Sequence, residues 1–152
     1  MELLAENQNA TSTEEIQVVV FKLGQEEYAV DILSVQEINK LLRVTRVPKA
    51  PYCIEGVINL RGNVIPLINL HKRFGLGKLE KTEETRIIVF EYQDIRAGII
   101  VDEVTEVSRL KVTDIEQASR VYGSLDADFI SGVGKMDGRL IILLNLAKLL
   151  EI

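Results

Sequence analysis

The sequence predicts an all-β fold with a few short helices, built from two related halves packed on one another. Three observations carry this. Of the 152 residues 47% are apolar, and branched aliphatics far outnumber the 4 Phe and 4 Tyr, with no Trp. Such side chains suit a pleated, half-buried surface. The apolar runs are strand-sized and punctuated by glycine-bearing turns. One order of runs, turns and caps also occurs twice. A chain of this length folds as one compact unit or as two small halves sharing a core, and its apolar content argues against global disorder.

The elements follow in order. Residues 1–15 are polar and acidic, without the apolar stretch of a signal peptide, and are expected to form a flexible tail. Residues 16–23 form a β-branched run, Gly24-Gln25-Glu26 a turn, and residues 27–32 a returning strand. Over 33–41, Val35, Ile38 and Leu41 fall at helical spacing, and Ser34 with Glu37 matches a capping box. A short amphipathic helix is predicted there. Residues 42–47 read as a strand ended by Pro48 and Pro51. Residues 56–70 read as strand, tight turn at Gly62-Asn63, and strand. Pro66 lacks an N–H, so its strand is expected at an edge or bulged. Asn69 is the predicted N-cap of a short helix through Phe74, before a polar linker at about 76–85.

The pattern then recurs. With Gly56 aligned to Gly132, Val57 meets Val133, Gly62 meets Gly138, Leu67 meets Leu143, and Asn69 meets Asn145. Leu70 meets Leu146 and Lys72 meets Lys148. Val18-Val19-Val20-Phe21 resembles Ile87-Ile88-Val89-Phe90, and Val30-Asp31 matches Val101-Asp102 after a two-residue shift. Strand periodicity alone does not easily place Gly, Gly and Asn in register. The chain therefore divides into halves at about 16–75 and 86–152, each a small barrel-like sheet with a helix at its end. A unit that small buries little alone, so the halves pack face to face and leave a groove between them.

Several function classes are disfavoured. The net charge is −5, whereas nucleic-acid binding needs a concentrated basic surface. Lys40, Arg43, Arg46 and Lys49 recur every third residue, but no aromatics interleave, so they read as a solvated loop face. The single cysteine, Cys53, cannot form an intrachain disulfide and fits a reducing cytosol. It reads as a buried, inert thiol, and the single His71 as a surface residue in a helix's first turn. One Cys and one His cannot build a zinc site. Asp126 and Asp128 lack the EF-hand pattern, and Gly75-Leu76-Gly77-Lys78 lacks the phosphate-loop spacing. The carboxylate neighbours Glu26-Glu27, Glu83-Glu84 and Asp102-Glu103 do not read as acid and base. No apolar run reaches the roughly 20 residues of a membrane helix, and Asn9-Ala10-Thr11 is a chance sequon.

The stretch from Glu55-Gly56-Val57-Ile58-Asn59-Leu60-Arg61-Gly62 to Asn69-Leu70 strongly resembles the signature of CheW-type chemotaxis coupling proteins. So do Tyr28-Ala29-Val30-Asp31-Ile32, Val35-Gln36-Glu37-Ile38, Val44-Thr45-Arg46-Val47-Pro48, Gly98-Ile99-Ile100-Val101-Asp102 and the closing residues 132–150. The resemblance runs from about residue 16 to the end and is specific in combination. It implies one domain over 16–152, made of two SH3-like five-stranded β-barrels packed over a shared hydrophobic core. It also implies a non-enzymatic cytoplasmic adaptor that binds the chemoreceptor signalling tip and the regulatory domain of the CheA histidine kinase. No cofactor is expected, and the protein is expected to be a monomer in isolation, recruited to membrane-bound receptor arrays without membrane insertion.

By position, Ile32, Val35, Glu37, Asn59 and Arg61 match residues that the family links to receptor engagement, and Gly56 and Gly62 match motif glycines. The resemblance suggests that Glu37 pairs with Arg61. Arg61 then either touches the receptor or only holds the groove's shape, while the two glycines read as backbone devices. The kinase-facing surface is expected on an apolar edge of the second barrel, with no residue assigned. The acidic tail is longer than the family motif needs, and no receiver domain is expected, unlike in the CheV-like relatives. Two other classes stay open: an oligonucleotide binder built on small barrels, disfavoured by charge and aromatics, and an enzyme with a pocket between the halves.

Overall fold

The computed structural model describes residues 14–117 and 128–151. Most of the expected tail, the sequon and Asp126 lie outside the described residues; Glu15 already belongs to the first strand. The strands are β1 (Glu15–Leu23), β2 (Glu26–Asp31), β3 (Val35–Lys40), β4 (Ile54–Leu60) and β5 (Asn63–Asn69), followed by helix α1 (Leu70–Phe74). Then come β6 (Arg86–Tyr92), β7 (Ile95–Val101), β8 (Glu103–Lys111), β9 (Ile115–Glu116), β10 (Ile130–Met136), β11 (Arg139–Leu144) and helix α2 (Leu146–Leu149). Among the described residues the strands form two sheets, ordered β8-β1-β2-β11-β10-β9 and β3-β6-β7-β5-β4. The all-β fold with short helices and two barrel-like sheets is the predicted one; the two-residue β9 adds a sixth strand to the first sheet.

The two sheets do not follow the division at 16–75 and 86–152. The first takes β1 and β2 from the N-terminal half and β8 to β11 from the C-terminal half; the second joins β3, β4 and β5 to β6 and β7. Short connections are the cause. Only Asp102 lies between β7 and β8, and a three-residue 3-10 turn, Ile32–Ser34, lies between β2 and β3. One residue is too few for a hairpin, and the 3-10 turn holds no residue at the positive φ a three-residue hairpin needs, so the chain runs on into the other sheet. The repeat is real at the level of elements. β4 and β5 pair as β10 and β11 do, each with a register shift just before Gly56 or Gly132. β5 pairs parallel with β7 as β11 pairs parallel with β2.

Four local predictions are corrected. Residues 35–40 form a strand instead of a helix, with half-buried and exposed residues alternating. Ladder pairing with β6 outweighs the helical spacing, which the register shift between Val35 and Glu37 reproduces within a strand by setting Val35 and Ile38 on one face, and Asp31, rather than Ser34, caps by accepting from the Leu33 N–H. Over 42–47 the described backbone makes only one isolated bridge, between Thr45 and Val57, instead of a strand. The hairpin turn is Arg61-Gly62, both at positive φ (52° and 86°), and Asn63 already begins β5. Pro66 lies in an inner strand, but the ladder with β7 starts one residue later, at Leu67.

The core is layered. Ile58, Ile65, Leu67, Ile87, Val89 and Ile100 fill one barrel, and Val18, Val20, Ala29, Leu110, Ile141 and Leu143 fill the other. The opposite faces of the same strands supply a larger shared cluster, including Phe21, Leu23 and Phe90, to which the helices add Leu70 and Leu149. Period-2 strands buried on both faces thus weld the barrels together.

Candidate functional site

The predicted site residues gather around the edge strand β3 and the β4–β5 turn. In β3, Val35 faces Phe90 and Ile38 faces Ile88, both members of the shared core, while Glu37 faces Val89 in the barrel core. The register shift between Val35 and Glu37 puts Val35 and Ile38 on the inter-barrel face and turns Glu37 to the other. Ile32 and Val35 are half-buried and pack against the shared core, and Leu33 beside them is 90% exposed.

Arg61 donates to Glu37 through both terminal nitrogens, Nη1 at 2.6 Å and Nη2 at 3.1 Å. This two-pronged pair links the hairpin to the far edge strand of its own sheet. The Arg61 hydrogen bond holds the Glu37 carboxyl below its ordinary range, and Glu37 in turn raises Arg61. The Arg61 side chain stays 74% exposed and that of Glu37 22%. Asn59 points its Oδ1 at the turn, where it accepts from the Gly62 N–H at 2.9 Å. It therefore stiffens the loop that presents Arg61.

Both motif glycines are backbone devices. A Cβ on Gly56 would lie 2.4 Å from the Thr45 carbonyl oxygen, closing the space that lets Thr45 and Val57 exchange hydrogen bonds of 2.9 and 2.8 Å. Gly62 meets nothing within 4 Å and serves the turn through its φ. Beside β3, Arg96 donates to Gln36, which donates to Glu91.

His71 overturns a sequence expectation. It is 5% exposed, not on the surface, and its Nε2 donates to Asp102 Oδ1 at 2.8 Å. Asp102 Oδ2 accepts from the Gly24 N–H, so α1, the β7–β8 link and the β1–β2 turn meet at one carboxylate. Neither residue alone carries a sequence signal for this, because the partners are 31 positions apart. Cys53 is buried as expected, and Lys40, Arg43, Arg46 and Lys49 are all exposed.

A hollow of about 860 Å³ is lined by Tyr52, Glu55, Asn69, His71, Lys72 and Lys81 among others. Glu55 accepts from Asn69 Nδ2 at 3.1 Å and sits 3.9 and 3.8 Å from the Lys72 and Lys81 ammonium groups. That is a neutralised structural carboxylate beside a helix cap; no nucleophile there is paired with a base. Among the described residues no group of three or more His, Cys, Asp and Glu is placed to hold a metal ion. No described helix is long and apolar enough to cross a membrane.

Comparison with known proteins agrees with this geometry. The family model of the CheW-like domain matches residues 17–152. The chemotaxis protein CheW of Helicobacter pylori (strain ATCC 700392 / 26695) is 37% identical over 150 residues, covering 99% of this chain and 90% of its own. The chemotaxis protein CheW of Bacillus subtilis (strain 168) is 39% identical over 135 residues, covering 88% and 86%. The crystal structure of the scaffolding protein TtCheW from Thermoanaerobacter tengcongensis superposes with a TM-score of 0.85 at 42% identity, covering 91% of this chain and 94% of that one.

Proposed function

The chain belongs to the CheW-like family, and from that premise we propose that it is a cytoplasmic, non-enzymatic adaptor joining the chemoreceptor signalling tip to the regulatory domain of the CheA kinase. The observation that carries the receptor side is the β3 edge with its clasped hairpin. Ile32 and Val35 offer apolar contact on the inter-barrel face with exposed Leu33 beside them, and Arg61 offers an exposed charge held in place by Glu37 and the Asn59-braced turn. A receptor's coiled-coil tip lays one helical face along this edge. Arg61 both touches the receptor and shapes the groove in this reading.

The kinase side falls on the other sheet. Its edge strand β8 carries Val107, 51% exposed, and β11 carries Leu140, 61% exposed. A strand edge unpaired among the described residues and apolar side chains together suit contact with a barrel of like fold. The signal passes as changed geometry in an array of such contacts. The adaptor needs no cofactor and is a monomer when alone.

The test is an amide-resolved NMR titration with a receptor signalling-tip hairpin and, separately, with the kinase regulatory domain. The receptor should perturb residues around Val35, Glu37 and Arg61, and the kinase domain residues of β8 and β11. Absence of shifts with either titrant at micromolar concentration would refute the adaptor role.

A further inference from the structure

The Arg61–Glu37 clasp has a counterpart that the sequence repeat does not predict. Glu106 on β8 faces Val20 of β1, as Glu37 on β3 faces Val89 of β6. Val20 and Val89 occupy matching places in the repeated runs Val18–Phe21 and Ile87–Phe90. Both glutamates lie on the outermost strand of their sheet at one end of the strand order. Each follows a shift in register, between Val35 and Glu37 in one sheet and between Val20 and Phe21 in the other. Arg139, at the start of β11, donates from Nη2 to Glu106 at 2.7 Å. Its Nη1 donates to Glu27 on β2 at 3.0 and 3.2 Å, and Ser108 donates to the other Glu106 oxygen.

The two arginines come from different places. Arg61 precedes the turn glycine Gly62, and Arg139 follows the matching Gly138. In both barrels the side chain reaches from the hairpin turn to the edge strand, although no backbone ladder joins them. The same link is thus made twice from non-equivalent arginine positions, while the acid keeps its register. A chance surface pair carried along by duplication would keep both.

We infer that Arg139 is a second clasp, which closes the other barrel by tying edge strand β8 to the β10–β11 hairpin and so controls local opening of that strand. Glu27 makes this clasp three-membered, and β2 is its second anchor. Ordinary carboxylate behaviour is shifted in the same sense at both clasps: Glu106 is held low, first by Ser108 and then by Arg139.

The experiment is native-state amide hydrogen exchange on the full chain, read separately for β3 and β8. Arg139→Gln should raise exchange of the β8 amides bonded to β1 about fivefold and leave β3 unchanged. Arg61→Gln should do the reverse. The charge-swapped pair Arg139→Glu with Glu106→Arg should restore at least part of the β8 protection lost in Arg139→Glu alone. If Arg139→Glu does not fold, the Gln variants decide. Unchanged β8 exchange in Arg139→Gln, or equal increases in β3 and β8, would overturn the inference.

Discussion

At the scale of single residues, the site depends on a few side chains with distinct tasks. Gly56 is there for a close approach: Ala would drive its Cβ to 2.4 Å from a backbone oxygen at a φ of 155°. Gly56→Ala should cost about 2 kcal/mol or more, read by urea unfolding. Gly62→Ala, with open space around it, should cost less. Arg61→Glu should weaken receptor-tip binding at least about tenfold while leaving the circular dichroism spectrum unchanged, because it sets like charges together where the clasp now sits. Unchanged affinity would reduce Arg61 to a scaffold residue. His71 gives a spectroscopic check. An Asp102 carboxylate can only accept, so a neutral ring must carry its proton on Nε2, and Nδ1 is buried without a hydrogen-bond partner among the described residues. Imidazole nitrogen shifts should report that tautomer. The two glycines are legible as backbone devices, and Gly62 as part of a turn, whereas the bracing of that turn by Asn59 and the approach of Gly56 to Thr45 emerge only from the fold. So does the burial of His71, since its partner comes from a distant segment.

At the scale of elements, helix caps and strand edges decide the outcome. Asn69 accepts from the Lys72 N–H at 3.1 Å and Asn145 from the Lys148 N–H at 3.3 Å, as the repeat anticipates. Asn145→Ala should cost about 1 kcal/mol in unfolding experiments. Asn69→Ala should cost more, because its amide also donates to Glu55. The clasps make edge-strand closure acid-sensitive. Glu37 and Glu106 are both lowered from 4.5, so their contribution is complete above that value and is lost as pH falls through the lowered values. Between about pH 7 and about pH 3 the wild type should therefore lose more stability in urea titrations than a variant with Arg61→Gln and Arg139→Gln. The strand β3 shows how a short segment can mislead. Its apolar residues fall at helical spacing, yet a register shift against β6 brings Val35 and Ile38 to one face of a strand.

At the scale of the whole molecule, the barrels share strands' opposite faces and cannot be stable independently of one another. Phe90 is fully buried in the shared cluster, which also contains Phe21 and Tyr28 from the other sheet. Phe90→Ala should destabilise by about 3–5 kcal/mol. Backbone dichroism and tyrosine signals should still move in one coincident transition. Two separate transitions would contradict a single welded core. The exchange of strands between sequence halves is the reason for this expectation: each sheet contains strands from both halves.

The sequence by itself determined the all-β class, the hairpins within 16–32 and 56–70, the helices capped by Asn69 and Asn145, the internal repeat and the family, because each rests on periodicity, on residues within a few positions or on motifs read along the chain. Only the tertiary structure decided which half lends strands to which sheet, that 35–40 is extended, that His71 is buried against Asp102, and that Arg139 repeats the work of Arg61. Those outcomes depend on pairings between distant segments, whose energy appears only once both faces of each strand are buried.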